Sequence, residues 1–452
     1  MNLYPHQVKV LNESEGLNRV AYYLDMGLGK TFVGAEKLIS LGESVNLLIC
    51  QKSKINDWLE HFGKYYNEFP YLTSVFDLTN KNSYQKFLNT LNDFESYEMI
   101  DDKTGISYLQ ESLDPRMCIG VINYELAWRR PELLKVFNGT LMLDESSMIQ
   151  NRTAKQSKWI LKLKPKNVIL LSGSPVSGKY ENLWTQCVLL GYEITHKEFE
   201  NQYVLKKPLM GWDGKAMLSP KGFPIQTVIG YKNEERLKRK LREHGAQFLK
   251  TEDVLDLPEQ TFTDIRVPST ATYKRFMKDR IVKLGDIELV GDMPLKKLLY
   301  ARQLASQYNP NKLQALSDLL ASTQERLIIF YSFNDELAKL KEICKDRPIS
   351  EVNGHVKDLE AYENETNTVT LCQYQAASKG LNLQKANKLI FFSPTLRVED
   401  YMQSQKRIHR IGQDQPCFYY RLITENSVEE KVYASLERGV DYTDALFEED
   451  TP

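Results

Sequence analysis

A glycine-containing loop near the start of the chain, residues 25–31, restricts the fold more than any other stretch. It reads Asp-Met-Gly-Leu-Gly-Lys-Thr, follows the apolar run 20–24 and leads into the helical pattern 32–39. Glycines let successive backbone N–H groups turn towards phosphate oxygens, and the N-terminus of the following helix adds positive potential. The order of strand, loop and helix therefore predicts a βαβ unit of a parallel sheet that binds a nucleoside triphosphate.

Each residue type in this loop has a separate expected role. Lys30 would reach the β- and γ-phosphates, and the Thr31 hydroxyl would be a ligand of Mg²⁺. The backbone that cradles the phosphates would come from Met26, Gly27, Leu28 and Gly29. The full G-x-x-x-x-G-K-[ST] pattern is not met, because position 24 is leucine. An ordinary strand–turn–helix with a solvated lysine is the alternative, so other motifs have to decide.

An apolar run ending in two carboxylates supplies the second motif. Residues 141–145 read Leu-Met-Leu-Asp-Glu, a strand pattern that ends in Asp144 and Glu145. At the carboxyl edge of a parallel sheet, Asp144 would hold Mg²⁺ and Glu145 would polarise the attacking water. The alternative is an acidic first turn of a helix, which the helix dipole favours. Both carboxylates become stronger candidates because they follow a Gly-Lys-Thr loop.

Two further stretches carry polar groups suited to phosphate chemistry. Residues 171–175, Leu-Ser-Gly-Ser-Pro, form a third strand end whose hydroxyls could link the γ-phosphate site to a substrate, although alone this is an ordinary turn. Near the end of the chain, Arg407 and Arg410 lie three residues apart, so on a helix both project from one face. A guanidinium near the γ-phosphate stabilises the charge that develops during transfer. A solvated basic helix end is the alternative.

Strand and helix patterns alternate in two separate parts of the chain. The strand-like runs are residues 20–24, 45–50, 117–122, 139–143, 167–171, 326–331, 368–372 and 388–392. With 452 residues the chain is too long for one core. We therefore predict a first α/β domain at 1–190, a mainly helical insertion at 191–310 and a second α/β domain at 311–452. The acidic stretch 85–116 is either a solvated loop or a partner surface.

Composition sets broader limits on location and partners. A net charge of −1 argues against a diffuse basic coat but allows a local basic groove. No apolar run approaches a membrane span, and the N-terminus lacks a secretory pattern, so we expect a cytoplasmic protein without a membrane partner. The six cysteines form no C-x-x-C pair, which disfavours zinc.

The motifs and their order resemble the superfamily-two helicase-like ATPases, and within them the SWI/SNF-related double-stranded-DNA translocases. Gly-Leu-Asn-Leu at 380–383 and His-Arg-Ile-Gly-Gln at 409–413 are the most specific matches. The other similar segments are residues 3–7, 25–31, 49–53, 121–125, 172–175, 329–333, 420–424 and 428–430. The chain departs from the family pattern at Ser147, because the family commonly has a histidine there that helps to couple hydrolysis to DNA. It also departs at residues 376–379 and 393–396.

The resemblance implies two RecA-like parallel-sheet domains that use ATP and Mg²⁺ and act as a monomer on double-stranded DNA. It implies that the catalytic residues are Lys30, Asp144, Glu145, Arg407 and Arg410. It implies that the nucleotide is bound by Gln7, Met26, Gly27, Leu28, Gly29, Lys30, Thr31, Gly380 and Asn382, and the Mg²⁺ by Thr31 and Asp144. It implies that DNA is contacted by Lys52, Ser53, Asn123, Tyr124, Ser332 and Ser378. A strand-separating helicase and a remodeller that displaces proteins from DNA remain the alternatives.

Overall fold

The chain divides into two compact units, whose main segments are Met1–Val254 and Leu255–Tyr442. The computed structural model describes residues 3–68, 72–93, 97–100, 107–110, 117–136, 138–176, 178–210, 215–285, 287–377 and 381–447. Of the helices within these ranges, none combines the length and the apolar character needed to cross a bilayer.

The first unit is built on a seven-stranded parallel sheet. The strands of this unit are β1 (Arg19–Leu24), β2 (Val45–Cys50), β3 (Leu72–Asp77), β4 (Tyr97–Ile100), β5 (Ser107–Gln110), β6 (Met117–Asn123), β7 (Thr140–Asp144), β8 (Asn167–Ser172), β9 (Val204–Pro208), β10 (Gln226–Tyr231) and β11 (Ala246–Leu249). The order in the sheet is β11-β1-β8-β7-β2-β6-β3, while β4–β5 and β9–β10 are separate antiparallel pairs. Its central strands are continuous apolar runs because helices cover both faces of such a sheet.

Helices connect these strands. They are α1 (Pro5–Glu13), α2 (Lys30–Ser40), α3 (Ile55–Tyr65), α4 (Lys81–Asp93), α5 (Tyr124–Ala127), α6 (Leu133–Val136), α7 (Lys155–Ile160), α8 (Trp184–Leu189), α9 (His196–Tyr203) and α10 (Glu234–Glu243). Helix α3 has the apolar periodicity of a helix that buries one face, because Ile55, Trp58 and Phe62 recur at helical spacing and are all buried.

The second unit contains another seven-stranded sheet, parallel except for one edge pair. Its strands are β12 (Gln260–Val267), β13 (Ile281–Leu284), β14 (Ile287–Val290), β15 (Leu327–Tyr331), β16 (Ile349–Val352), β17 (Lys357–Asp358), β18 (Val369–Gln373), β19 (Lys388–Phe391) and β20 (Cys417–Thr424). The sheet order is β12-β20-β19-β15-β18-β16-β17, and β13–β14 form a separate hairpin. Its helices are α11 (Ala271–Asp279), α12 (Pro294–Ala305), α13 (Pro310–Ala321), α14 (Asn334–Ile343), α15 (Glu360–Asn364), α16 (Tyr374–Ala377), α17 (Val398–Gln405) and α18 (Val428–Phe447).

The two parallel sheets confirm the predicted architecture of tandem RecA-like domains with additional elements between them. The segment 191–310, expected to be one helical insertion, is divided between the two units. Strand β11 pairs with β1 in the first sheet, and β12 pairs with β20 in the second. Helix α11 ends at Asp279, because Arg280 adopts a left-handed conformation (φ 62°) and residues 281–284 form β13.

The acidic stretch 85–116 lies partly outside the described residues. Within its described part, helix α4 ends at Asp93, and β4 and β5 pair as an antiparallel hairpin. This hairpin does not join the seven-stranded sheet. Backbone pairing of this kind differs from the solvated loop that was one of the two expectations for the stretch.

Candidate functional site

The motifs of the first unit meet along one edge of its sheet. Strands β1, β8, β7, β2 and β6 are parallel neighbours, so their carboxyl ends lie side by side. The segments that begin at these ends are the glycine loop, the 172–175 turn, Asp144 with Glu145, residues 51–53 and Asn123 with Tyr124. Crevices beyond the carboxyl ends of such strands are the usual ligand sites of open α/β sheets.

The glycine loop depends on the backbone freedom of two residues. Gly27 and Gly29 have φ angles of 90° and 74°, which side chains other than glycine rarely adopt. A Cβ atom on Gly29 would also lie 2.1 Å from Nε2 of Gln7. The Gln7 side chain is buried and donates from Nε2 to the Leu28 carbonyl at 3.2 Å. Gln7 therefore packs against the loop itself, at its Leu28–Gly29 end.

Lys30 lies at the start of α2, next to two other motifs. Its ammonium group donates to the carbonyls of Leu24 (2.9 Å) and Asp25 (3.3 Å). A Cβ atom on Gly173 would come within 3.2 Å of Lys30 Nζ, so the lysine reaches the 172–175 turn. Lys30 also stabilises the Asp144 carboxylate electrostatically. The structure thus brings the loop, the turn and the acidic strand end together.

The start of the loop is held by a residue that sequence reasoning missed. Thr251 Oγ1 donates to Asp25 Oδ2 at 2.8 Å, and the Asp25 N–H donates to the Leu249 carbonyl at 2.9 Å. The other Asp25 oxygen accepts the Met26 N–H at 2.7 Å. Because Thr251 follows β11 more than two hundred residues later, no local pattern marks it as a partner of the loop.

Asp144 lies at the end of β7, where burial and hydrogen bonding act in opposite directions. Desolvation raises the pKa of its carboxyl, while the Trp58 indole N–H, which donates to Oδ2 at 2.8 Å, and Lys30 partly offset the rise. The net direction is upwards. A carboxylate held in this way would gain from a bound cation, since the cation would replace the lost hydration.

These donors fit the expected Mg²⁺ ion. A carboxylate and a hydroxyl are the hard oxygen ligands that Mg²⁺ accepts, usually together with water and phosphate oxygens. Thr31 and Asp144 supply one of each, on segments that leave neighbouring parts of one sheet edge. Among the described residues, no group of three or more His, Cys, Asp or Glu side chains forms a protein-only metal site. Phosphate oxygens and water would supply the remaining ligands, as is usual for Mg²⁺.

Glu145 has an unusual backbone that other residues maintain. Its φ and ψ angles are 52° and 61°, a left-handed conformation that costs a non-glycine residue on the order of 1 kcal/mol. Tyr124 Oη donates to the backbone oxygens of Asp144 (2.8 Å) and Glu145 (3.3 Å). The Tyr124 side chain is fully buried. The expectation that this side chain contacts DNA is therefore corrected, because it supports the acidic motif from inside.

Gln186, in α8, connects three parts of the site and was also missed from sequence. Its Oε1 accepts hydrogen bonds from Ser146 Oγ at 2.8 Å and Tyr23 Oη at 3.0 Å. Its Nε2 donates to the Pro175 carbonyl at 2.8 Å. The side chain is completely buried. Gln186 thus fixes the residue after Glu145 to the 172–175 turn and to the strand before the glycine loop.

The arginines of the second unit converge on one carbonyl. Arg407 Nη1 and Arg410 Nη1 donate to the Leu381 oxygen at 3.0 and 3.2 Å, and Arg410 also donates to Asn382 Oδ1 at 2.5 Å. Arg407 is buried, whereas Arg410 is half-buried and desolvation lowers its pKa. The two arginines do not lie on a helix, as their spacing had suggested. Helix α17 ends at Gln405, and turns follow it. Gly380 and Ser378 lie outside the described residues.

Ser332 lies at the end of β15, beside a cavity of about 370 Å³ lined by residues from the carboxyl ends of β15 and β18 and the segment after β19. The buried Arg302 donates to Ser332 Oγ at 3.2 Å and to the Pro394 carbonyl at 2.6 Å. Ser332 Oγ in turn donates to the Pro394 carbonyl at 3.0 Å. The serine is thus oriented by internal contacts.

The remaining expected DNA contacts differ in exposure. Lys52 and Ser53 form part of a short 3-10 turn after β2 and are exposed. The Asn123 side chain is buried and donates to Glu125 Oε2 at 2.7 Å. Of the four residues expected to contact DNA in this unit, Lys52 and Ser53 are therefore the ones that present side chains to solvent.

Comparison with known proteins identifies the family to which the chain is similar. A model described as the SNF2-related domain matches residues 23–290, and one described as the helicase conserved C-terminal domain matches residues 311–412. The chain is 25% identical over 478 residues to the DNA repair and recombination protein RAD26 of Saccharomyces cerevisiae, an alignment that covers 90% of this chain and 43% of that protein. It is 23% identical over 456 residues to the SWI/SNF-related matrix-associated actin-dependent regulator of chromatin subfamily A member 1 of Mus musculus, covering 90% and 39%.

A solved structure described as the Sulfolobus solfataricus SWI2/SNF2 ATPase core in complex with dsDNA matches with 20% identity and a TM-score of 0.42. That match covers 100% of this chain and 94% of the other. The chain spans about two fifths of the length of the curated relatives it matches.

Proposed function

Because the chain belongs to the SNF2-related family, we propose that it hydrolyses ATP and uses the energy to move along double-stranded DNA. The observation that carries this proposal is the meeting of Lys30, Asp144 and the 172–175 turn at one edge of a parallel sheet. A lysine, a carboxylate and a glycine loop placed in this way are the parts that metal-assisted phosphoryl transfer requires.

The first unit would bind the nucleotide and the metal. The Gly27 and Gly29 backbone cradles phosphate oxygens, and Lys30 exchanges its two carbonyl acceptors for them. Thr31 and Asp144 would hold Mg²⁺ together with the phosphates, and the ion would supply charge neutralisation. Glu145 orients the attacking water, and its left-handed backbone fixes where its carboxylate can point. Gln7 supports the loop at its Leu28–Gly29 end.

The second unit would contribute an arginine to the same reaction. Arg410 is the better candidate of the two, since Arg407 is buried and already donates from Nε to the Gln403 carbonyl and from Nη1 to the Leu381 carbonyl. We assign Arg407 the task of holding the 381–383 segment, and Arg410 that of reaching the γ-phosphate. A positioned arginine is worth roughly 10³–10⁵ in rate in related chemistry. Hydrolysis would then depend on the relative placement of the units, which is how ATP use could drive movement.

DNA would be held through its backbone, without sequence reading. Lys52 and Ser53 at the sheet edge of the first unit, and Ser332 in the second, are placed at strand ends where phosphate contacts can form. Such contacts position a protein on DNA but carry no sequence information. Low sequence specificity is the expected result.

ATP turnover in the presence of blunt duplex DNA, single-stranded DNA and RNA tests the proposal. We expect duplex DNA to stimulate turnover most strongly, and Lys30→Ala, Glu145→Gln and Arg410→Ala each to abolish it. The Glu145→Gln variant should still bind ATP, because the residues proposed to contact the phosphates and the metal are unchanged. The proposal would be refuted if none of these nucleic acids stimulated ATP turnover. Displacement of one strand of a forked duplex would instead identify a strand-separating helicase.

A further inference from the structure

A two-stranded ribbon projects from the first unit and takes no part in the site described above. It comprises β9, β10 and the chain between them, and its described residues are 204–210 and 215–231. Strands β9 and β10 pair only with each other in the described part of the chain. An isolated pair of strands is only marginally stable in water. Most residues of the two strands are exposed or only half-buried, and the pair lies outside the seven-stranded sheet.

Apolar side chains on this ribbon face solvent. Nine of its large apolar side chains are more than a third exposed. The most exposed is Phe223 (69%), next to a tight turn in which the Gly222 N–H donates to the Ser219 carbonyl at 2.9 Å. Leu218 (59%) bridges to Pro224 beside the same turn. We call Met217, Leu218 and Phe223 the apolar tip. A cluster of this kind on a soluble protein usually marks a binding surface.

The charge of the ribbon identifies the kind of partner. The ribbon, residues 204–231, contains four lysines, at 206, 207, 215 and 221, and one acidic residue, Asp213. The whole chain has a net charge of −1, so this is a local concentration of positive charge. Lys206 is paired with Glu200, whereas Lys207 and Lys221 are exposed. Charge complementarity therefore favours a polyanion, and two-stranded ribbons have dimensions that fit the major groove of DNA.

The base of the ribbon is fixed to the catalytic edge of the sheet. Tyr231, at the end of β10, donates from Oη to Glu181 Oε2 at 2.6 Å and packs on the ring of Tyr180 at 4.8 Å between centroids. Asn182, which follows Glu181, donates to Gln150 Oε1 at 2.9 Å. Gln150 lies a few residues after the acidic motif. The base of the ribbon is therefore connected by side-chain contacts to the segments that follow Glu145 and the 172–175 turn.

We propose that this ribbon is a second DNA-contacting element, in which Lys207 and Lys221 contact backbone phosphates and the apolar tip stacks on the unpaired bases of a fork. The inference rests on the proposed function, since DNA is the ligand in both. Exposed aromatic side chains bind unpaired bases of any sequence, whereas paired bases in a continuous duplex offer no free face. The tip thus distinguishes a fork from a blunt duplex, while the lysines contribute to binding both.

Binding of fluorescent blunt and forked duplexes at several salt concentrations tests this proposal. We expect the Lys207→Ala/Lys221→Ala variant to bind both DNAs more weakly, with a slope of log K against log salt that is smaller by about 2. Phe223→Ala should weaken binding of the fork on the order of tenfold and leave binding of the blunt duplex unchanged. Leu295→Ala, at an exposed apolar residue of the second unit (82%), and Lys283→Ala/Lys296→Ala, at two surface lysines of that unit, are the controls.

Unchanged affinity and unchanged salt slope in the ribbon variants would overturn the proposal. So would variants that alter only the concentration dependence of sedimentation, because the ribbon would then contact a second copy of the chain. Stimulation of the wild-type ATPase by blunt duplex DNA is measured alongside. If that stimulation is present while the ribbon variants behave as wild type, the ribbon inference fails and the proposed function stands; if it is absent, the proposed function itself fails.

Discussion

Replacing Gln186 by methionine removes three buried hydrogen bonds at once without opening a large cavity. In the structure the amide accepts from Ser146 and Tyr23 and donates to the Pro175 carbonyl. Methionine has a similar length and fills irregular space well, so the cost of lost packing stays small. Three groups would instead be left in the interior without their partner.

The size of the effect follows from these three groups. A buried polar group that loses its partner costs about 1–3 kcal/mol. With partial rearrangement of the two hydroxyls, we expect Gln186→Met to destabilise the first unit on the order of 3–5 kcal/mol. Tyr23→Phe and Ser146→Ala each remove one bond while Gln186 keeps its other partners, so each should cost about 1 kcal/mol. Because Ser146 follows Glu145, Gln186→Met should also lower kcat while the KM for ATP changes little.

Hydrogen exchange of the β7 and β8 amides measures the loss of stability within the first unit, and steady-state kinetics measures kcat and KM. The two single-bond variants are the matched controls, since they touch the same network without breaking it. A Gln186→Met protein whose exchange and kcat equal those of Tyr23→Phe would refute the account of Gln186 as the residue that ties the acidic motif to the 172–175 turn.

Three further predictions concern other contacts. Glu429→Ala should destabilise the second unit by about 3–5 kcal/mol in urea unfolding, because it strands the buried Lys312 that Glu429 binds at 2.6 Å, and Lys312→Met with Glu429→Leu should recover most of the loss. Trp58→Phe removes the N–H bound to Asp144, so the pKa of Asp144 should rise further and the acid limb of the pH–activity profile should move to higher pH, whereas an unmoved limb would contradict this role. Burial lowers the pKa of His61 to about 4, so on acidification the unfolded chain binds a proton before the folded chain does. The free energy of unfolding should therefore fall by up to about 3 kcal/mol as the pH drops from 6.5 towards 4. The His61→Phe variant should lack this loss when unfolding is measured as a function of pH.

Most of the central strands were predictable because their apolar runs are continuous. The runs 45–50 and 117–122, for example, correspond to β2 and β6. The edge strands were not predictable in this way. Strand β12 is mostly polar and occupies a mostly exposed edge position, and β11 has only four residues. Both acquire their structure from pairing with strands far away in sequence, β20 and β1, which no local pattern records.

The proximity of the candidate catalytic residues of the first unit was predictable for a related reason. Asp144 and Lys30 follow strands, and parallel strands place their ends at one edge, so sequence order implied proximity. Supporting residues such as Trp58, Gln186 and Thr251 carry no motif. Their role arises from single tertiary hydrogen bonds, which have no period and no fixed spacing. The burial of Tyr124 likewise became visible only with the fold.

Displacement of a third DNA strand from a blunt duplex tests movement along DNA most directly. A triplex-forming strand is removed when a motor passes, while the two strands of the duplex stay paired. We predict that the wild-type protein displaces it only with ATP, Mg²⁺ and a duplex flank on which to load, and that Arg410→Ala does not displace it although it binds DNA. Duplex-stimulated ATP turnover without any displacement of the third strand would contradict the translocation account.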